Sequence, residues 1–148
     1  MRPIKLKIKG LNSFIEEQVI DFEKLTDRGL FGIFGPTGSG KSTILDGITL
    51  SLYGDLARKS SNYINTNCDT LSVSFEFQIT SFETKKYRVE RSFKRDKKTG
   101  GIKTSGAKLL DITNDEIVLA EKASVKIVLS VSASDDEIPA AIAQYIAK

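Results

Sequence analysis

Gly35-Pro36-Thr37-Gly38-Ser39-Gly40-Lys41-Ser42 fits the pattern G-x-x-x-x-G-K-[ST] at every fixed position. Each residue type has a physical task. The glycines let the backbone curl until successive N–H groups point inward, where phosphate oxygens can be cradled. Lys41 adds a point charge for the outer phosphates, and the Ser42 hydroxyl suits a magnesium ion. Chance would produce the pattern in roughly 0.5% of chains of this length.

The flanks agree with the motif. Leu30-Phe31-Gly32-Ile33-Phe34 is a short apolar run that predicts a strand buried on both faces. After the loop, Ile44, Leu45, Ile48 and Leu52 recur at helical spacing and Gly54 supplies a stop, which predicts a helix over 41–53. A strand, a glycine loop and a helix N-terminus in that order form a phosphate-binding unit. The nucleotide-binding set is Gly35, Pro36, Thr37, Gly38, Ser39, Gly40, Lys41, Ser42 and Thr43, with Ser42 as metal ligand and ATP with Mg2+ as the cofactors. Asp46 is read as an exposed helix carboxylate, with a supporting role at the magnesium site as the alternative. Arg58 and Lys59 are either phosphate contacts or solvated.

Further out, alternation predicts strands near 3–9, 18–22, 71–80, 86–93 and 107–112. Leu71, Val73, Phe75, Phe77 and Ile79 face one way; Tyr87, Val89 and Phe93 share a face on which Arg91 is the polar exception. Turns are expected at Asp27-Arg28-Gly29 and at Thr84-Lys85, the latter closing a hairpin. Val125–Val131 reads as strand-like, and Ile138, Ile142, Tyr145 and Ile146 could line a short helix.

The 148 residues suit one domain or a piece of a larger protein. Histidine is absent, which excludes Ser-His-Asp and Cys-His catalysis and histidine-ligated metals. Cys68 is the only cysteine, so no internal disulfide can form, and a reducing compartment, the cytoplasm, is expected. No apolar run is long enough to span a membrane. The net charge of +3 is unevenly spread. Residues 85–103 hold nine Lys and Arg against Glu90 and Asp96, a net +7, and the remainder carries −4. A basic block on an acidic body points to a polyanion, nucleic acid first. Lys94, Arg95, Lys97, Lys98 and Lys103, in a loop over 94–103, are the candidate DNA contacts; a solvated hairpin tip is the plainer reading.

Beyond these patterns, Pro3-Ile4-Lys5-Leu6, Asn12-Ser13-Phe14, the segment Leu30–Gly40, Lys41–Ile48, Leu52-Tyr53-Gly54, Lys86–Ser92 and Leu110-Asp111-Ile112-Thr113 together resemble the SbcC family. These are the ATPase subunits of bacterial SbcCD exonucleases, related to structural-maintenance-of-chromosomes and ABC-type ATPases. The resemblance covers residues 1–122. It implies an α/β fold: the N-terminal P-loop half of a split ATPase head, with an antiparallel β-subdomain. It also implies a C-terminal lobe, a second head, an SbcD-like nuclease subunit and DNA as partners, and no membrane. Residues 123–148 match no part of that pattern and are set apart as a tail. The chain has no apolar run ending in Asp-Glu and no Leu-Ser-Gly-Gly signature, so ATP binding without turnover is expected. Two other readings remain open: a nucleic-acid or partner-binding module with a vestigial nucleotide site, and a fragment of an ABC-type transporter ATPase.

Overall fold

The computed structural model describes residues 1–26, 30–56, 60 and 62–121. Six strands form one sheet: β1 (Arg2–Lys9), β2 (Gln18–Asp21), β3 (Thr70–Thr80), β4 (Thr84–Arg95), β5 (Ile102–Asp111) and β6 (Ile117–Glu121). Their order is β2-β1-β3-β4-β5-β6, and every neighbouring pair is antiparallel. Two helices accompany them, α1 (Phe22–Leu25) and α2 (Lys41–Tyr53).

The alternation seen in the sequence becomes a buried face. Leu6 and Ile8 on β1, Val73, Phe75 and Phe77 on β3, Val89 and Phe93 on β4 and Leu109 on β5 are at most 2% exposed. This face lies under α2, which crosses β1, β3 and β4. Phe75 stacks on Phe77 with ring centroids 5.5 Å apart, and Phe77 meets Tyr87 at 5.8 Å. Full burial of side chains of this size stabilises by about 1.5–3 kcal/mol each.

Arg91, the polar exception, is as buried as its apolar neighbours. Its guanidinium donates to Ser51 O at 2.6 Å and Leu52 O at 3.1 Å, the orphan carbonyls at the C-terminus of α2. The helix dipole there favours a cation. Burial pulls the Arg91 pKa down to about 10, so it stays charged at neutral pH. Gly54, at φ 73, closes the helix with its N–H on Leu50 O, as the sequence predicts.

Several expectations shift. The turn between β3 and β4 spans Ser81–Glu83, and Thr84 and Lys85 belong to β4. The basic loop is shorter than 94–103: Lys94 and Arg95 end β4, and Ile102 and Lys103 begin β5. β5 starts five residues before the predicted 107, because cross-strand pairing with Phe93–Arg95 extends it through polar residues without alternation. β6 is an addition to the expected strands; it is short and sits at the sheet edge with Ile117 and Val118 exposed.

The largest correction concerns Leu30–Phe34, which is not a strand and, apart from Phe31 half-buried against Phe22 with ring centroids 5.9 Å apart, is exposed. Leu30 is 87% exposed and Phe34 93%. A strand needs a hydrogen-bonding neighbour, and among the described residues none runs beside this segment. The fold is thus an α/β P-loop half-head in which the antiparallel sheet and α2 supply the core. The turn predicted at 27–29 and everything predicted over 122–148 lie outside the described residues.

Candidate functional site: the cleft at the start of helix α2

The glycine loop runs straight into α2. Gly38 and Gly40 adopt φ of 87° and 89°, the left-handed region open to glycine at little cost. Gly40 is the N-cap residue, and a Cβ there would stand 2.6 Å from the Phe14 ring. Ser39 N–H donates to Pro36 O at 3.2 Å and tightens the turn. The Lys41 ammonium folds back over the loop, donating to Gly35 O and Pro36 O, each at 2.7 Å, with Ser39 Oγ at 3.4 Å.

A cleft of about 640 Å³ opens beside this loop. Thr37, Gly38, Gly40, Lys41, Ser42, Thr43 and Asp46 form one side of its lining; Asn12, Ser13, Leu56 and Ser60 complete it. Gly35, Pro36 and Ser39 are not part of this lining; they shape the loop through the hydrogen bonds above. The walls fit a polyphosphate. They offer an ammonium, a hydroxyl and the unpaired N–H groups of a helix N-terminus, whose dipole attracts anions. Ser42 is exposed at the helix start, where a hydroxyl can reach a metal held by phosphate oxygens. Among the described residues no group of three His, Cys, Asp or Glu could hold a metal by itself.

The helix is seated differently from its apolar spacing. Its buried residues are Thr43, Asp46, Gly47, Leu50, Ser51 and Leu52, whereas Leu45 is 67% exposed. Gly47 explains the seating: a Cβ there would come within 2.7 Å of Ile8 Cδ1. The helix presses on β1 through its smallest side chain. Asp46 is therefore not the exposed carboxylate expected, being only 7% exposed. The Asn12 amide donates to Thr43 Oγ1 at 3.3 Å and approaches Asp46 Oδ2 at 3.5 Å.

Asn12 is a site residue to which sequence reasoning assigns no role. It sits at φ 51, the one non-glycine in the left-handed region among the described residues. Its N–H donates to Tyr63 O at 2.8 Å, and Asn65 Nδ2 donates to its carbonyl at 2.5 Å. A lone Asn after Gly10-Leu11 gives only a turn signal, and its partners are 31 and 53 residues away.

The basic residues do not act alike. Arg95 is tied inward, donating to Asn62 Oδ1 at 2.7 Å and Ile64 O at 3.0 Å. Lys103 pairs with Asp96. Lys94, near the end of β4, and Lys97 and Lys98, in the turn that follows it, are exposed. Asp96 also accepts from the N–H groups of Lys98 and Thr99. The Lys103 ammonium, then these amides, hold the Asp96 carboxyl down at about 2. Arg58 and Lys59 lie outside the described residues.

The family profile described as AAA domain matches residues 5–144. The chain is 66% identical over 122 residues to the C subunit of nuclease SbcCD from Clostridium acetobutylicum, covering 82% of this chain and 10% of that protein. It is 52% identical over 127 residues to the protein of the same name from Bacillus subtilis, covering 84% of this chain and 11% of that one. The SMC head domain from Thermotoga maritima aligns with a TM-score of 0.43 at 25% identity, over 79% of this chain and 39% of that one. The chain thus spans about a tenth of the length of these curated relatives. The profile match over most of its length places the chain in the AAA domain family, with close similarity to the C subunits of SbcCD nucleases.

Proposed function

We propose that this chain binds ATP with magnesium through Gly35–Ser42, as the N-terminal lobe of an SbcC-like DNA-repair ATPase that acts with a nuclease subunit. One observation carries this reading: a preformed glycine loop holds the Lys41 ammonium beside a cleft of about 640 Å³ at the N-terminus of a 13-residue helix. In the bound state the loop amides and Lys41 hold the phosphates, and Ser42 contributes an oxygen to the metal. The relatives' names support the rest of the reading, a role within the nuclease SbcCD. A cytoplasmic setting accords with the single cysteine.

The exposed apolar residues Leu30, Ile33, Phe34 and Leu45, close in sequence to the loop, support a second lobe docking there. Binding requires only the loop, but turnover also requires a group that orients water and a signature loop from a second head. The sequence contains no such signature and no apolar run ending in an acidic pair, so this chain binds ATP without turning it over. A second role has its own support: Lys94 at the end of β4 and Lys97 and Lys98 in the turn beyond it are exposed, and would form a sequence-independent contact for DNA phosphates.

Amide NMR tests the nucleotide reading. Magnesium ATP should shift the resonances of residues 35–43 and leave the β3–β4 turn undisturbed. Shifts confined to other regions, or none at millimolar nucleotide, would refute the assignment.

A further inference from the structure

We infer that Asn12 is a positioning residue for the nucleotide: its amide aims the Thr43 hydroxyl into the cleft, toward a phosphate oxygen. The inference rests on the reading of the cleft as an ATP site and adds to it a residue that acts through another. Thr43 is the third residue of α2, and both it and Asn12 line the cleft.

The backbone of Asn12 is fixed on both sides. Its N–H donates to Tyr63 O at 2.8 Å, and its carbonyl accepts from Asn65 Nδ2. The Asn65 N–H in turn donates to Gly10 O at 2.9 Å, and Leu11 forms a bridge with Ile64. Residues 63–65 thus strap the turn after β1 in place. At φ 51° Asn12 is in the left-handed region, which asparagine visits more readily than most residues. The same turn places the Phe14 ring against Gly40, the N-cap of α2. It therefore meets the start of the helix at two points, Phe14 on Gly40 and Asn12 on Thr43.

The bond between Asn12 and Thr43 has a direction. The amide nitrogen lies 3.5 Å from Asp46 Oδ2, an acceptor, which fixes the end of the amide that faces the helix. That nitrogen only donates, so the Thr43 oxygen accepts from it at 3.3 Å and keeps its own hydrogen for another acceptor. Other hydroxyls of α2 behave differently. Thr49 Oγ1 donates to Leu45 O at 2.9 Å and Ser51 Oγ to Gly47 O at 2.7 Å, each closing on the carbonyl four residues back. Thr43 instead lines the cleft, where the phosphate oxygens gathered by the glycine loop are strong acceptors. A donor oriented before binding loses less freedom on binding. A bond that only seated the helix would be worth the same to the nucleotide whichever partner was removed.

Calorimetry of the whole 148-residue chain with magnesium ATP, run as a double-mutant cycle, separates these cases. Asn12→Gly keeps the left-handed backbone and removes the amide, whereas Thr43→Val keeps the shape and removes the hydroxyl. Asn12→Gly should weaken binding about tenfold, and Thr43→Val, which loses the donor itself, about fiftyfold. In the Thr43→Val background Asn12→Gly should add no more than about twofold. A 31P resonance of the bound nucleotide should shift in both single variants. Equal losses in the two single variants mean that the bond only seats the helix and overturn the inference. So do an undiminished Asn12→Gly loss in the Thr43→Val background, no loss with Asn12→Gly alone, or an unshifted 31P spectrum in Thr43→Val; all of these leave the nucleotide site intact. Failure of the unmodified chain to bind magnesium ATP removes the nucleotide reading and this inference together. Thr43→Ala, also without a hydroxyl, carries the same cycle if the β-branched replacement disturbs the helix.

Discussion

The inner face of the sheet and the segment 30–34 are both rich in apolar residues, but the first buries them all whereas the second buries only part of Phe31. Phe75, Phe77 and Phe93 are at most 1% exposed, while Leu30 and Phe34 are almost wholly exposed. The difference lies in the backbone. β3 and β4 have hydrogen-bonded neighbours on both sides, so their side chains are fixed against α2. Residues 30–34 have no such ladder among the described residues. Stability therefore resides in the sheet and the candidate chemistry in a loop that the sheet supports through α2. Changes in the first region should unfold the protein, and changes in the second should alter binding with the fold intact.

Phe75→Ala should have the largest effect on stability. Removing a fully buried aromatic ring costs about 3–5 kcal/mol, read as a lower denaturant midpoint. A loss below about 1 kcal/mol would mean that the sheet is not the main source of stability.

Arg91→Ala sharpens the boundary between the regions, because Arg91 is a sheet residue that holds the end of α2. Leaving Ser51 O and Leu52 O without their donor should cost about 2–3 kcal/mol. Hydrogen exchange should show the last turn of α2 opening first. Uniform loss of protection across the sheet, with the helix end unaffected, would break the proposed tether.

Replacing Lys94, Lys97 and Lys98 with Gln should leave stability within about 0.5 kcal/mol, since all three are exposed. The slope of log affinity for duplex DNA against log salt should fall by about 0.9 for each phosphate no longer neutralised. Identical salt dependence would return these lysines to a solvated tip.

The smallest effect belongs to Asp96. Its carboxyl is held at about 2, below its value in an unfolded chain, by Lys103 and the turn amides. A depressed folded pKa contributes stability that is complete above about pH 4 and is lost as pH falls toward 2. The carboxyl resonance should titrate near 2, and the amides of Lys98 and Thr99 should lose protection over the same window. A midpoint near the ordinary carboxylate value, about 4, would mean that the ion pair with Lys103 does not form in solution.

Most of the sheet could be read directly, because alternation over β1, β3 and β4 reflects burial on one face. The glycine loop was equally readable, since its pattern encodes backbone geometry. Long-range features were hidden. The apolar run 30–34 looks like a buried strand, but no residue within it tells whether a neighbouring strand exists. The seating of α2 depends on Gly47 meeting Ile8, a contact without periodicity, and that seating buries Asp46. Asn12 takes its role from partners distant in the chain, and Arg91 from a helix end 39 and 40 residues earlier.

Calorimetry of magnesium ATP against the unmodified chain and Lys41→Ala tests the central claim most directly. The account predicts saturable binding by the unmodified chain and a loss of about 2–3 kcal/mol, roughly 30- to 150-fold in affinity, on removing the ammonium. The thermal midpoint should barely move, because Lys41 bonds only to groups of its own exposed loop. Equal affinity in the two proteins would contradict the account and leave the loop as a structural turn.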